Sequence, residues 1–171
     1  MIAAMQPDHR ESVLEASFLQ AYDLHADTVL RYLRIAVGDG DAEDLCSETF
    51  CSAWTAWARY RGDRSAALPW LMRIARNRVI DRSRRRKSQP VDSLERHLDF
   101  ATSTTVDPTD RLELQAALSK LSRGDRELLA LRAAGLTHAE IGRLQRRREP
   151  AVKTAWVRAL RRIRPFLEVG Q

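Results

Sequence analysis

Apolar residues recur three and four positions apart along most of this chain, and no segment alternates convincingly at period two, so the expected fold is all-α. From about Glu11 to Val37 the apolar positions include Val13, Leu14, Phe18, Leu24, Val29, Leu30, Leu33 and Val37. They predict a helix with a candidate break at Asp23–His25, ended by Gly38-Asp39-Gly40. Asp41 is then placed to cap a second helix. Its apolar stripe is unbroken: Ala42, Leu45, Cys46, Thr49, Phe50, Ala53, Trp54 and Trp57. The opposite face carries Glu43, Asp44, Ser47 and Glu48. The helix dipole favours acids in a first turn, which is sufficient reason for some of them. A basic loop, Arg59–Leu68, includes Arg61, Gly62 and Arg64. Pro69 then stands where a first helical residue belongs, and a helix over Trp70–Arg86 is expected to bury Leu71, Ile74, Ala75 and Ile80.

The pattern lapses between Ser88 and Thr109, where Ser, Thr, Asp and Pro accumulate. This stretch reads as a flexible linker with one helical turn near Leu94–Leu98. Periodicity resumes near Asp110. Leu112, Leu114, Ala117, Leu118 and Leu121 predict one helix, and Leu128, Leu129 and Leu131 a second that ends at Gly135. The segment Gly135–Arg164 has the marks of a helix-turn-helix. Thr137 is an N-cap with Glu140 three residues on, and Leu136 and Ile141 occupy the two positions of a hydrophobic staple. A polar turn leads to a last helix, Pro150–Arg164, carrying Lys153, Arg158, Arg161, Arg162 and Arg164, which suits a major groove. The expected architecture is two small helical domains, 11–87 and 110–168, joined by the linker 88–109.

Composition sharpens this picture through charge. The 171 residues carry a net charge of +6, and the cations are clustered rather than spread. Arg73, Arg76, Arg78, Arg82, Arg84, Arg85, Arg86 and Lys87 share one helix with a single acid, Asp81. Two basic patches, this one and the last helix, point to a polyanion as partner. Three tryptophans, Trp54, Trp57 and Trp70, flank the first patch, and plain core packing is the favoured reading for Trp54. Cys46 and Cys51 make no disulfide framework and no metal site. Cys46 lies on the apolar stripe and reads as a buried thiol, while Cys51 lies off it. The four histidines are scattered, and neither a glycine-rich phosphate loop nor a nucleophile elbow is present. No enzyme activity, cofactor or metal is expected. No apolar run suits a membrane span or a secretory signal, so a soluble cytoplasmic protein is expected, without membrane insertion.

Three strings together carry a family resemblance: AEDLCSETF (Ala42–Phe50), WLMRIARNRVIDRSRRR (Trp70–Arg86), and the C-terminal helix-turn-helix. They resemble the bacterial RNA polymerase sigma factors, specifically the extracytoplasmic-function (ECF) group of the sigma-70 family, over residues 15–87 and 110–166. The resemblance implies a promoter-specificity subunit whose partners are core RNA polymerase and promoter DNA. It places Asp44, Ser47 and Glu48 on the face that docks on the clamp helices of the largest polymerase subunit. It implies that the Arg59–Leu68 loop and the helix after it open and read the minus-ten element, through Arg61, Arg64, Trp70, Arg73, Arg76, Asn77, Asp81 and Arg84. For Trp70 core packing is the favoured reading, ahead of a role as a wedge, and Asp81 has a second reading as an ion-pair partner of a nearby arginine. For the minus-thirty-five element it implies Thr137, Arg148, Glu149, Ala151, Lys153, Thr154, Arg158 and Arg161, with Arg158 and Arg161 holding phosphates. Members are often held by an anti-sigma factor, so such an inhibitor is a candidate partner.

Three positions depart from the family pattern. Ser47 stands where Gln is usual, Gln145-Arg146 stands where Leu-Gly is usual, and Pro150 replaces a small residue. Loss of the glycine is expected to deny the turn an easy left-handed residue. Two other functions compete. An autonomous helix-turn-helix regulator would bind duplex DNA alone, leaving the AEDL face without a role. A basic helical protein on acidic membrane or RNA would use both patches only as charge.

Overall fold

The computed structural model describes residues 9–88 and 116–167, and every regular element among them is helical. The order is α1 (His9–Val37), α2 (Asp39–Trp57), a 3-10 turn (Arg64–Ala66), α3 (Leu68–Ser88), a helical turn at 116–119, α4 (Arg123–Ala133), α5 (His138–Gln145) and α6 (Glu149–Leu167). The linker 88–109, except for Ser88, the turn near Leu94–Leu98, and Leu112 and Leu114 lie outside the described residues.

α1 runs without the break expected at Asp23–His25. Asp23 and Leu24 face solvent while His25 turns inward, so each residue suits its helical position and nothing forces the backbone apart. Burial holds the His25 imidazole below its ordinary pKa. Asp41 is not the cap of α2. The helix begins at Asp39 behind Gly38, whose φ of 86° is a left-handed conformation that glycine adopts without strain. The Asp41 carboxylate instead pairs with Arg82 and ties the start of α2 to α3. Pro69 lies in the first turn of α3, where its missing N–H removes no helical bond.

α1, α2 and α3 pack on one another around Val29, Leu33, Leu45, Trp57, Leu71 and Met72, all at most 1% exposed. Burying a side chain of this size contributes about 1.5–3 kcal/mol. Trp54 does not join them. It is 45% exposed and meets the Phe18 ring at a tilt, with centroids 5.1 Å apart. Its place on the α2 stripe is at the edge facing past α1. Cys46 is half-buried, and burial pushes its thiol up to about 11, so it stays protonated at neutral pH. Cys51 is exposed, as its position off the stripe predicts.

The C-terminal half packs α4, α5 and α6 around Leu128, Leu131, Leu136, Ile141 and Val152. The two halves are not separate bodies in this structure. α4 lies against α1, and the buried residues of both halves form one continuous cluster. Ile35 of α1 also packs on a smaller cluster of Ala117, Leu118, Leu121 and Ile163.

Candidate nucleic-acid and polymerase interfaces

The inward stripe of α2 fixes what its other face presents. Leu45 and Thr49 are buried, and the Thr49 hydroxyl donates to the Leu45 carbonyl at 2.6 Å. Asp44, Ser47 and Glu48 are therefore all exposed, on one side of α2. Glu43 is drawn away from them by Arg34, 3.5 Å distant. The result is a small acidic face continued by Cys51.

The loop before α3 is built around aromatic rings. Trp57 stacks on Tyr60 with centroids 5.5 Å apart and planes 17° apart, and Tyr60 meets Trp70 at 4.7 Å. The Arg64 guanidinium sits over the Trp57 ring at 5.8 Å, a cation–π contact. Arg61 is exposed beside them. Trp70 is half-buried and serves as a wall of the cluster, so the core reading holds for one of its faces. Tyr60 escaped the sequence reading because it stands outside any helical period. Its signal was its position two residues before Gly62 in a basic loop.

On α3, Arg73, Asn77, Asp81 and Arg84 are exposed, and their spacing of three and four places them on one stripe. Arg76 is set to one side. Its Nε donates to the Glu127 carboxylate at 2.7 Å, and both side chains are about four-fifths buried, at 22% and 19% exposure. The α3 stripe forms one wall of a cleft of about 620 Å³; Arg143, Leu144, Gln145 and Arg146 of the helix-turn-helix form the other. Glu127 and Arg143 were not singled out from sequence, and Gln145 stood out only as a departure from the family's turn. Glu127 lies 51 residues from Arg76 along the chain, and no local pattern reports such a pairing.

The helix-turn-helix begins with the predicted capping box. Glu140 N–H donates to the Thr137 hydroxyl at 3.2 Å, and Thr137 N–H donates to the Glu140 carboxylate at 2.7 Å. The Thr137 hydroxyl also donates to that carboxylate at 2.7 Å, so it is committed to the cap. These bonds hold the Glu140 carboxyl below its ordinary pKa. Leu136 and Ile141, the staple positions, are both buried. The turn overrides the expectation about missing glycine: Arg146 itself takes the left-handed conformation, φ 56° and ψ 44°. The glycine that the motif needs is Gly142, where a Cβ would lie 2.7 Å from the Arg147 carbonyl oxygen.

Val152, Ala159 and Ile163 bury the inner face of α6. That leaves Glu149, Ala151, Lys153, Thr154, Arg158 and Arg161 exposed, with Arg148 just before the helix. Lys153 Nζ pairs with Glu149 at 2.8 Å, and this bond holds the Glu149 carboxyl below its ordinary pKa. The Thr154 hydroxyl donates to the Pro150 carbonyl at 2.9 Å. Arg162 pairs with Asp125 of α4 and so braces α6. Among the described residues, no group of three or more His, Cys, Asp or Glu is placed to hold a metal ion, and no helix is long and apolar enough to cross a membrane.

The structure thus defines an all-α protein with an acidic helix face, an arginine-lined helix rising from an aromatic cluster, and a basic helix-turn-helix. Its sequence matches the sigma-70 region 2 family over residues 21–89 and the sigma-70 region 4 family over residues 111–163. It is 35% identical over 129 residues to the ECF RNA polymerase sigma factor SigF of Caulobacter vibrioides, covering 75% of this chain and 72% of SigF. It is 32% identical over 160 residues to the ECF sigma factor BldN of Streptomyces coelicolor, covering 88% of this chain and 60% of BldN. The fold is similar to that of the sigma factor RpoE of Bartonella quintana, solved with the anti-sigma factor NepR. The TM-score is 0.73 at 23% identity, over 90% of this chain and 98% of RpoE. The chain belongs to the ECF RNA polymerase sigma factors, the subunits that give polymerase its promoter recognition.

Proposed function

We propose that the three surfaces divide the work of initiation. The acidic face of α2 (Asp44, Ser47, Glu48) binds core polymerase, meeting a basic partner surface through charge complementarity. The α3 stripe and the aromatic loop capture the melted minus-ten strand. Stacking surfaces beside a row of arginines are what single-stranded bases and their backbone require. α6 reads the minus-thirty-five duplex, with Arg158 and Arg161 on phosphates and residues near its N-terminus on base edges. The observation that carries this reading is the stripe Arg73–Asn77–Asp81–Arg84 beside the Trp57–Tyr60–Trp70 cluster. An autonomous helix-turn-helix regulator has no use for a second nucleic-acid surface of that kind.

In this role the chain performs no catalysis, needs no cofactor and works in the cytoplasm. The Bartonella relative was solved with an anti-sigma factor, and an inhibitor of that kind suits a protein with two separate DNA surfaces to cover. The deciding experiment mixes the purified chain with bacterial core RNA polymerase and transcribes a genomic DNA library. Stable association with discrete start sites is expected. Tight duplex binding without any polymerase association would establish the autonomous regulator instead.

A further inference from the structure

We propose that the cavity between α1, α3 and the start of α4 is a binding site for a small phosphate monoester. The cavity measures about 350 Å³, at the lower end of the range that holds small ligands. Its polar lining includes Ser83 and Arg84 of α3 and Arg123 and Gly124 of α4. Gly124 is the second residue of α4, an 11-residue helix, and a first turn presents backbone N–H groups and the positive end of the helix dipole. Gly124 has no side chain to screen that backbone, and a Cβ there would meet only the Ser122 hydroxyl, at 4.0 Å. The acid of the same turn, Asp125, is already engaged by Arg162 and by the Ser122 hydroxyl.

Tyr32 of α1 is 1% exposed, yet its hydroxyl has no hydrogen-bond partner among the described residues. Buried hydroxyls are seldom left so, because the unmade bond is costly. The charges that act on this one belong to Glu127, Arg76 and Arg123. All three line the cavity, as does Ala36, one turn further along α1. The hydroxyl therefore stands at the inner wall of the cavity. Burial, with Glu127 adding to it, raises the phenol pKa, so the hydroxyl keeps its proton and is a donor at neutral pH. Glu127 is itself satisfied: Arg76 Nε donates to one carboxylate oxygen at 2.7 Å and Gln145 Nε2 to the other at 3.2 Å. With that pair cancelling, Arg84 and Arg123 set the sign of the site. Arg123 donates to the Ser83 hydroxyl and, at 3.4 Å, to the Val79 carbonyl, which leaves Ser83 its own proton to donate. Backbone N–H, hydroxyl and guanidinium are the donors that phosphate oxygens accept from. Ala36 and Ile80 offer an apolar surface to the carbon part of the ester. Arg84 is shared with the α3 stripe; the rest of the site stands apart from the DNA and polymerase surfaces.

The test is isothermal titration calorimetry of the full chain with adenosine monophosphate and with inorganic phosphate. One adenosine monophosphate per chain is expected, bound about tenfold more tightly than inorganic phosphate through the apolar surface it covers. Tyr32→Phe removes only the hydroxyl and is expected to weaken binding about fivefold to tenfold, the contribution of one hydrogen bond. Without ligand its thermal midpoint should equal or exceed that of wild type, since the hydroxyl has no protein partner to lose. Gly124→Leu fills the cavity from an open position on the helix and is expected to abolish binding while the fold is kept. Arg31→Ala removes an exposed cation outside the cavity and is expected to leave binding unchanged. Absence of binding to wild type overturns the site. So does binding that Tyr32→Phe and Gly124→Leu leave intact, which would assign the phosphate to the general basic surface. A lowered midpoint in ligand-free Tyr32→Phe would show that the hydroxyl serves the fold, and equal affinities for the two probes would show that the apolar lining takes no part; either overturns the assignment to a phosphate monoester.

Discussion

Arg146 stands in the left-handed region at φ 56°, a conformation that costs an L-residue about 1–2 kcal/mol. It persists because the turn between α5 and α6 demands it: the Arg147 N–H must reach back to the Gly142 carbonyl, at 2.8 Å. Arg146→Gly is therefore expected to stabilise the protein by about 0.5–1 kcal/mol, after glycine's greater chain entropy is set against the relieved strain. Gly142→Ala is expected to do the reverse. Its methyl group would press on the Arg147 carbonyl oxygen at 2.7 Å, and overpacking of this kind costs about 1–3 kcal/mol. Urea unfolding midpoints of the two variants check both signs together. Only half of this was legible in the sequence. Position 146 stood out because a glycine was missing there, but Gly142 lies inside a helical period and gives no sign that another turn's backbone rests on it.

At the scale of elements, the capping box is the clearest case of local sequence deciding local structure, since its four participating groups lie within four residues. Thr137→Ala is expected to cost about 1 kcal/mol of stability. The same bonds make that cost depend on pH. The Glu140 carboxyl is depressed by Thr137 in the folded protein, so its contribution is complete above the free value of about 4.3. It is lost as pH falls through the lower, folded value. The stability gap between wild type and Thr137→Ala should therefore narrow between pH 5 and pH 3 in denaturant titrations; a constant gap would show that the carboxylate takes no part. The helices α2, α3 and α6 were legible for a related reason: each has a strict apolar stripe, and the stripe fixes which residues face out. The stripe of α2 left Glu43, Asp44, Ser47 and Glu48 facing out, while the choice of Asp44, Ser47 and Glu48, of the α3 row and of the α6 row as contact residues came from the family resemblance. The start of α2 was misplaced because Asp41 looks like a cap from its neighbours alone. Its true partner, Arg82, is 41 residues away. Trp54 misled for the same reason, since periodicity assigns it a face but not how far α1 extends over that face.

Among the described residues charges are sorted, acids on the outer face of α2 and cations on α3 and α6, and the proposed polymerase interface rests on that sorting. The double substitution Asp44→Arg with Glu48→Arg is expected to cut affinity for core polymerase by at least 100-fold, in line with reversal of charge across a complementary interface. Both side chains are exposed, so the far-ultraviolet circular dichroism and thermal midpoint should match wild type. Retained polymerase binding by the folded variant would remove the docking role from α2. The way the two halves are joined has a further consequence, one of timing. Tyr32 and Ile35 near the end of α1 are covered by residues around Leu118, Leu121 and Glu127, which leave the ribosome roughly 90 residues later. At translation speeds of about 5–20 residues per second, that face of α1 stays uncovered for roughly 5–20 s in every newly made chain. The rate of synthesis thus sets how long a growing chain displays an apolar surface to passing chaperones and to its siblings on the same message.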